Sequence, residues 1–491
     1  MSSFLTHLQK KWQSLKASSV VERLARHSRV RLFLVGGPIR DAFLGRAPVD
    51  WDFAVTRDAV SFARKVADTL QGAFVLFDET WKTARVVYSE EDEKITLDFA
   101  EMRGKSPEED LGFRDFRINA MALDLTTGSL LDPFDGARDV EEKTVSMVSP
   151  QNLVEDPLRL LRAFRFSAEL GFRISVETEE VIREKAALIT TVSAERIREE
   201  LFKILSTPHS AETILSLHST GLLFAIFPEL SPTVGVSQNE YHHLDVWGHT
   251  LLASRELDVV LDSIDRWFPE QAQGFRDFLA IRSHLPILKL ATLFHDIGKP
   301  HTRTRDDLGA THFYGHETSG EAISREIAER LRLSNEEKHF LTLLVRHHLE
   351  PGFLLRAKKR GELTRRTLRR FFRQHQEKGM ALLLLAIADK RATLGAATEK
   401  DDWKQMVALS GEMLTLYKEE IKEEEKIPPL ITGKDLITEL QLTPGPKFRK
   451  ILDAVRQEQL EGNLRDRDEA LAYVEANPAL LSGPPLGESH L

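Results

Sequence analysis

The stretch Val35–Val55, VGGPIRDAFLGRAPVDWDFAV, constrains this chain more than any other. The apolar run RLFLV reads as a strand that ends at Gly36–Gly37, where a tight turn lets backbone N–H groups approach an anion such as a triphosphate. Arg40 and Asp41 follow at a helix start. WDFAVT then reads as a second strand, and strand side chains alternate, so Asp50 and Asp52 fall on one face. Two carboxylates on one face repel unless a cation lies between them. Mg2+ held by one or two carboxylates and substrate phosphates is the usual resolution. Either feature alone fits an ordinary turn or an exposed edge strand; their joint spacing is far less ordinary.

ARVVYS and KITLDFAEM read as further strands, and AVSFARKVADTL has helical periodicity. From Glu155 onward strand signals nearly vanish and amphipathic helices run to the end. The expected class is α+β, with a mixed-sheet domain over 1–150 followed by all-α parts over 151–235, 236–425 and 426–491. The chain's 491 residues exceed what one core can organise. With 42% apolar and 29% charged residues it is a globular rather than a disordered chain. The absence of cysteine excludes disulfides and thiolate metal sites. MSSFLTHLQKKWQSLK lacks the apolar core and cleavage site of a secretory signal. MALLLLAIA (Met380–Ala388) is too short to cross a bilayer and reads as a buried helix. The expected location is the cytoplasm. A net charge of -9 means that any nucleic-acid surface is local.

VGGPIRDAFLGRAPVDWDF resembles the signature of class II tRNA nucleotidyltransferases (CCA-adding enzymes) and the related bacterial poly(A) polymerases. The resemblance implies a polymerase-beta-like catalytic domain in which Gly36 and Gly37 hold the triphosphate, with Arg40 as a further nucleotide-binding residue. It also implies that Asp50 and Asp52 bind the two Mg2+ ions of phosphoryl transfer, with Asp98 of ITLDFAE as a third carboxylate. FRDFRINAMALDL resembles the family element that orients the sugar, with Arg114, Asp115 and Asn119 in matching positions. Phe113 stands where the family has an arginine. The segment DFAEMRGKSPEED (Asp98–Asp110) is also shorter than the flexible loop of full CCA-adding members, and in the family that accompanies CC-only addition.

EDPLRLLRAFRF opens an amphipathic helix, and Asp156 before Pro157 has the form of a helix N-cap. Asp156 and Arg159 also share a helix face. Cytosine and adenine each present an exocyclic amino donor beside a ring-nitrogen acceptor, which a carboxylate and a guanidinium match; uracil and guanine present the opposite pattern. The family's E-D-x-x-R motif reads bases this way and maps onto Glu155, Asp156 and Arg159, with Arg162 one turn on. AERIREELFKIL resembles the next family helix, whose Glu195 and Arg196 are expected to brace that pocket.

Eleven of the 17 histidines lie between His242 and His348. An adjacent His-Asp on a buried-looking helix needs polar partners, which a divalent metal supplies. The pattern resembles the HD metal-dependent phosphohydrolases, with His249, His295, Asp296 and Asp389 as matches and His316 and His348 as further ligands. Mg2+, Mn2+ or Ni2+ suits such donors. RAKKRGELTRRTLRRFFR carries nine basic residues and one acid, enough to neutralise tRNA phosphates unless KEEIKEEEK balances it. The Pro-Gly-Pro turn of LQLTPGPKFRKILDAV resembles the family tail and could offer N–H groups to a phosphate.

The expected activity is addition of C and/or A from CTP and ATP to the tRNA 3′ end. The alternatives are a CC-only or A-only enzyme, a poly(A) polymerase, or an HD phosphohydrolase whose nucleotidyltransferase half is inactive.

Overall fold

The computed structural model describes residues 2–48, 50–78, 82–238, 242–307, 309–393, 401–421, 427–445, 447–460 and 462–481. The chain divides into two compact units. One comprises Met1–Phe353 with Ala381–Met406, the other Leu354–Met380 with Val407–Leu491.

The first unit begins with a seven-stranded mixed sheet: β1 (Leu32–Val35), β2 (Asp50–Val55), β3 (Ala73–Asp78), β4 (Thr83–Glu90), β5 (Glu93–Glu101), β6 (Ala122–Asp124) and β7 (Leu130–Leu131), in the spatial order β3-β4-β5-β2-β1-β6-β7. The strands read from sequence are β1, β2, β4 and β5, and the helix read at AVSFARKVADTL is Ala59–Leu70. The alternation gives the sheet two unlike faces. Trp51, Phe53, Leu97 and Phe99 point to one, where Phe62 packs edge-on to Phe99 and Trp12 of the helix Ser2–Ser14 packs against Trp51 and Phe53. The other face carries Asp52, Asp98, Arg85 and Val75, joined by direct register: Asp52 opposite Asp98, Asp98 opposite Arg85, Arg85 opposite Val75.

From residue 136 on the unit is helical, apart from two-residue strands at Thr144–Val145, Arg173–Ile174, Thr304–Arg305 and Thr311–His312. The helix read at AERIREELFKIL spans Ala194–Leu205, burying Ile197, Leu201 and Ile204. MALLLLAIA lies in the helix Gly379–Ala392, and Leu382 to Leu385 are fully buried. Asp156 departs from the capping expectation. It ends the short helix Pro150–Glu155, and the helix Leu158–Leu170 starts after Pro157 with no side-chain cap.

In the second unit, the helix Arg365–His375 buries Leu368, Phe371 and Phe372 and turns Arg365, Arg366, Arg370 and Arg373 outward. Three helices, Gly433–Thr438, Lys447–Leu460 and Arg467–Ala476, enclose a small core of Leu436, Ile451, Val455, Ala470 and Val474. The expected linker Lys426–Gly433 is irregular over 427–432, with Lys426 outside the described residues. So are Tyr241, Pro446 of the Pro-Gly-Pro turn and residues 422–426 of the acidic run.

Candidate active site and candidate metal centre

The Gly-Gly turn, the carboxylates and the helix Leu158–Leu170 all lie in the first unit. Gly36 has φ +73°, a left-handed conformation that favours glycine, and a Cβ on it would come within 3.2 Å of Arg114 Nη1. A Cβ on Gly37 would lie 3.8 Å from both Arg40 Nη2 and Asp52 Oδ2, so the turn stands directly over the carboxylate row. Asp50, at the start of β2, is exposed, and Asp52 is partly buried beside Asp98. Burial, then the charge of Asp98, raises the Asp52 carboxyl to about 6, against the pull of Arg114. Asp98 accepts a bidentate pair from Arg85 at 2.7 and 2.6 Å. The crowded, incompletely neutralised carboxylates Asp52 and Asp50 are a donor set that a hard divalent cation fits.

Beside the turn runs a polar chain. Arg40 donates to Asn119 Oδ1 (2.8 Å), Asn119 donates to Asp115 Oδ1 (3.1 Å), and Arg162 donates twice to Asp115 Oδ2 (2.9 and 2.6 Å). Burial opposes ionisation of Asp115, but the charge and hydrogen bonds of Arg162 outweigh it and bring its carboxyl down to about 2. Asp156 Oδ2 accepts from Arg196 at 3.0 Å and lies 3.9 Å from Arg159 Nε, while Arg159 Nη1 donates to Asn152 O. The Asp156–Arg159 pair is therefore assembled, and Arg196 braces it. Glu155 and Glu195 are exposed; Glu155 accepts only from Gln151 among the bonds the structure gives it. Phe113 ends the helix Pro107–Gly112 and is exposed.

Sequence reading missed Arg85, because its pairing with Asp98 depends on the β4–β5 register. It also missed the ion pair Arg165–Glu200 (2.8 Å), which ties the helix Leu158–Leu170 to Ala194–Leu205.

The histidines converge elsewhere in the same unit. His249 opens the helix Val246–Asp262, His295 and Asp296 follow His284–Phe294, His316 opens His316–Arg330, His348 follows Asn335–His347, and Asp389 lies on Gly379–Ala392. His249, His295 and Asp296 form one group of donors, and Asp296, His316 and His348 a second, so Asp296 is common to both. His249 Nε2 lies 3.0 Å from Asp389 Oδ1. Nδ1 of His295, His316 and His348 each faces a backbone carbonyl at 2.7–2.8 Å. A carbonyl only accepts, so each Nδ1 carries a proton, and in the neutral ring Nε2 is the atom left to bind a metal. Nε2 of His316 and His348 are 3.3 Å apart, as are Nε2 of His249 and His295. With the carboxylates of Asp296 and Asp389 beside them, these converging donors fit a divalent transition metal. Burial pushes the His348 imidazole down to about 3, in keeping with a neutral ligand. Lys299, also missed from sequence, donates to Asp296 Oδ2 at 2.6 Å; its i+3 spacing was the available signal.

Comparisons with known proteins place the chain in a family. The "Poly A polymerase head domain" family model matches residues 32–146, "Probable RNA and SrmB- binding site of polymerase A" matches 171–233, and the tRNA nucleotidyltransferase domain 2 model matches 321–474. The A-adding tRNA nucleotidyltransferase of Deinococcus radiodurans is 32% identical over 451 residues, covering 90% of this chain and 94% of its own. The CC-adding enzyme of Thermus thermophilus is 33% identical over 449 residues, covering 90% and 92%. The fold is shared with the Thermotoga maritima CCA-adding enzyme complexed with tRNA, at 21% identity, TM-score 0.58, and coverage of 96% and 98%. No helix among the described residues is long and apolar enough to cross a membrane. With relatives matched at this identity over nine-tenths of its length, the chain belongs to the tRNA nucleotidyltransferase and poly(A) polymerase family, and it is an enzyme of the nucleotidyltransferase class.

Proposed function

We propose that this enzyme adds C and/or A from CTP and ATP to the 3′ end of tRNA, without a nucleic-acid template, releasing pyrophosphate. The observation that carries this reading is the placement of Asp52 under the Gly36–Gly37 turn and beside Asp98. The family works with divalent metals, and Asp50 and Asp52, with Asp98 beside them, are the residues to hold Mg2+. When bound, Mg2+ lowers the pKa of the attacking 3′-hydroxyl and stabilises the leaving pyrophosphate. The chain's own residues do the rest. Gly36, Gly37 and Arg40 receive the triphosphate, Arg114 and Asn119 face the sugar, and Asp115 and Arg162 fix Asn119 and the base-reading helix. Asp156 accepts from the base amino group while Arg159 donates to the ring nitrogen, which selects C and A over U and G. The partners are tRNA, CTP and ATP, in the cytoplasm. The division of labour follows the stretches 1–150 (catalysis), 151–235 (base recognition), 236–425 (metal centre) and 426–491 (tail, tRNA contact). The test is incorporation of labelled CTP and ATP into tRNA lacking its 3′ end; no incorporation of either refutes the reading.

A second activity is supported by the four converging Nε2 atoms around Asp296. His249, His295, Asp296 and Asp389, with His316 and His348, suit Mg2+, Mn2+ or Ni2+ and a metal-dependent phosphohydrolase. The product of addition is expected to end at CC. Only residues 102–106 separate β5 from the helix Pro107–Gly112, and this connection is pinned, with Arg103 N donating to Asp110 and Lys105 N to Glu109. It has little length with which to lever the base pocket from C to A.

A further inference from the structure

The sheet face that carries the carboxylates continues past them. Beyond Asp98 on β5 come Arg85 on β4 and Val75 on β3, in one row across the edge of the sheet. Among the described residues no helix seals this part of the face: Thr96, Asp98, Arg85 and Val87 are all partly exposed, and Val75 is 42% exposed. At the end of the row the β3–β4 register breaks. Leu76 pairs with Ala84 and Asp78 with Thr83, which leaves Phe77 without a partner. Such a bulge re-aims a side chain, and bulges concentrate at sheet edges next to active sites. Phe77, two residues beyond Val75, lies on the carboxylate face, with the Arg85 guanidinium 4.7 Å from its ring centroid. The ring is 53% exposed, a large apolar surface to leave in water. One side chain, Arg85, separates it from the Asp98 carboxylate.

Strand order says which molecule meets this ring. In an in-line displacement the attacking hydroxyl and the leaving pyrophosphate lie on opposite sides of the phosphorus. The triphosphate turn closes β1, and Arg114 and Asn119 lie between β5 and β6, with Asn119 shortly before β6. The incoming nucleotide therefore occupies the β1–β6 side of the carboxylates. The nucleophile must come from the other side, over β4 and β3. Exposed aromatics on open sheet faces stack single-stranded bases whatever their identity, and a neighbouring guanidinium adds to the stack. Sequence tolerance is what an acceptor end that changes with each addition requires.

We infer that Phe77, with Val75 and Arg85 around it, is the platform on which the terminal unpaired base of the RNA acceptor stacks, presenting its 3′-hydroxyl to the carboxylate row. The inference rests on the nucleotidyltransfer reading and adds the acceptor's binding site to it. The test compares Phe77→Ala and Phe77→Trp with the native enzyme, using tRNA that carries 2-aminopurine as its 3′-terminal base. The native enzyme and Phe77→Trp quench the fluorophore on binding, and Phe77→Ala does not. Phe77→Ala also raises the KM for tRNA about tenfold, as loss of one base–aromatic stack does, and leaves the KM for CTP unchanged. Unchanged quenching and tRNA KM in Phe77→Ala overturn the inference, as does a loss confined to the KM for CTP. Phe77-dependent quenching without any incorporation by the native enzyme refutes nucleotidyl transfer and leaves the platform standing.

Discussion

Replacing Asp115 by Asn removes one negative charge from the polar chain while keeping its shape. Asp115 is buried and receives two bonds from Arg162 and one from Asn119. Its carboxyl falls from the ordinary 3.8 to about 2 in the folded chain, which corresponds to about 2 kcal/mol of stabilisation at neutral pH. Stranding Arg162 adds to the loss, but its side chain is 30% exposed and can turn to water, which keeps the total near that figure. The sign follows from the depressed value. The stabilisation is complete above the unfolded pKa of about 4 and disappears as pH falls through about 2. The assay is amide hydrogen exchange in the helix Leu158–Leu170 and at Arg117–Asn119, which reads local opening in a chain too large for one unfolding transition. Asp115→Asn is expected to lower protection about 30-fold at pH 7 and at pH 5, with the gap to the native enzyme narrowing below about pH 4. Equal protection at pH 7, or a gap that does not close with acid, refutes the reasoning.

Asp156→Ala should reduce discrimination against UTP and GTP roughly 10- to 100-fold, the worth of one hydrogen bond to a charged group; competition kinetics decide, and intact selectivity would reduce Asp156 to a partner of Arg196. Purified enzyme given Ni2+, Mn2+ or Mg2+ should hydrolyse a phosphomonoester or a 2′,3′-cyclic phosphate. Asp296→Ala should abolish that without slowing nucleotide addition, and inactivity with all three metals would mean that the histidine centre has another role. Single-turnover extension of tRNA lacking its 3′ end, resolved at one nucleotide, should slow or stop after CC; efficient formation of CCA would show that the short 102–106 connection does not limit the product.

Local pattern made much of this molecule legible, and the reasons are specific. The strand β1 follows from a short apolar run that ends at a Gly-Gly turn, β2, β4 and β5 from short segments rich in β-branched and aromatic residues, and Ala194–Leu205 from its 3.6-residue period. What pattern does not carry is register and long-range closure. Arg85 reads as one more outward strand residue until β4 is set against β5, and Phe77 lies on β3, a strand that the pattern did not show. Asp115 and Arg162 are 47 positions apart, and only folding joins them. Asp156 before Pro157 has the form of a cap, but the helix begins after the proline and the carboxylate goes to Arg196 instead. The histidine centre was legible as a cluster of donors. That Asp296 is shared between two pairs depends on how the four helices that carry these histidines pack.

The central claim is that Asp50 and Asp52 hold the metal ions of nucleotidyl transfer. Its most direct test is single-turnover incorporation of CTP into tRNA lacking its 3′ end by Asp50→Ala and Asp52→Ala, alongside tRNA affinity measured without nucleotide. The account predicts at least about a 1000-fold loss of incorporation in each variant, because the charge stabilisation supplied by the metals is gone, with tRNA affinity unchanged. Near-native incorporation by both variants would contradict it.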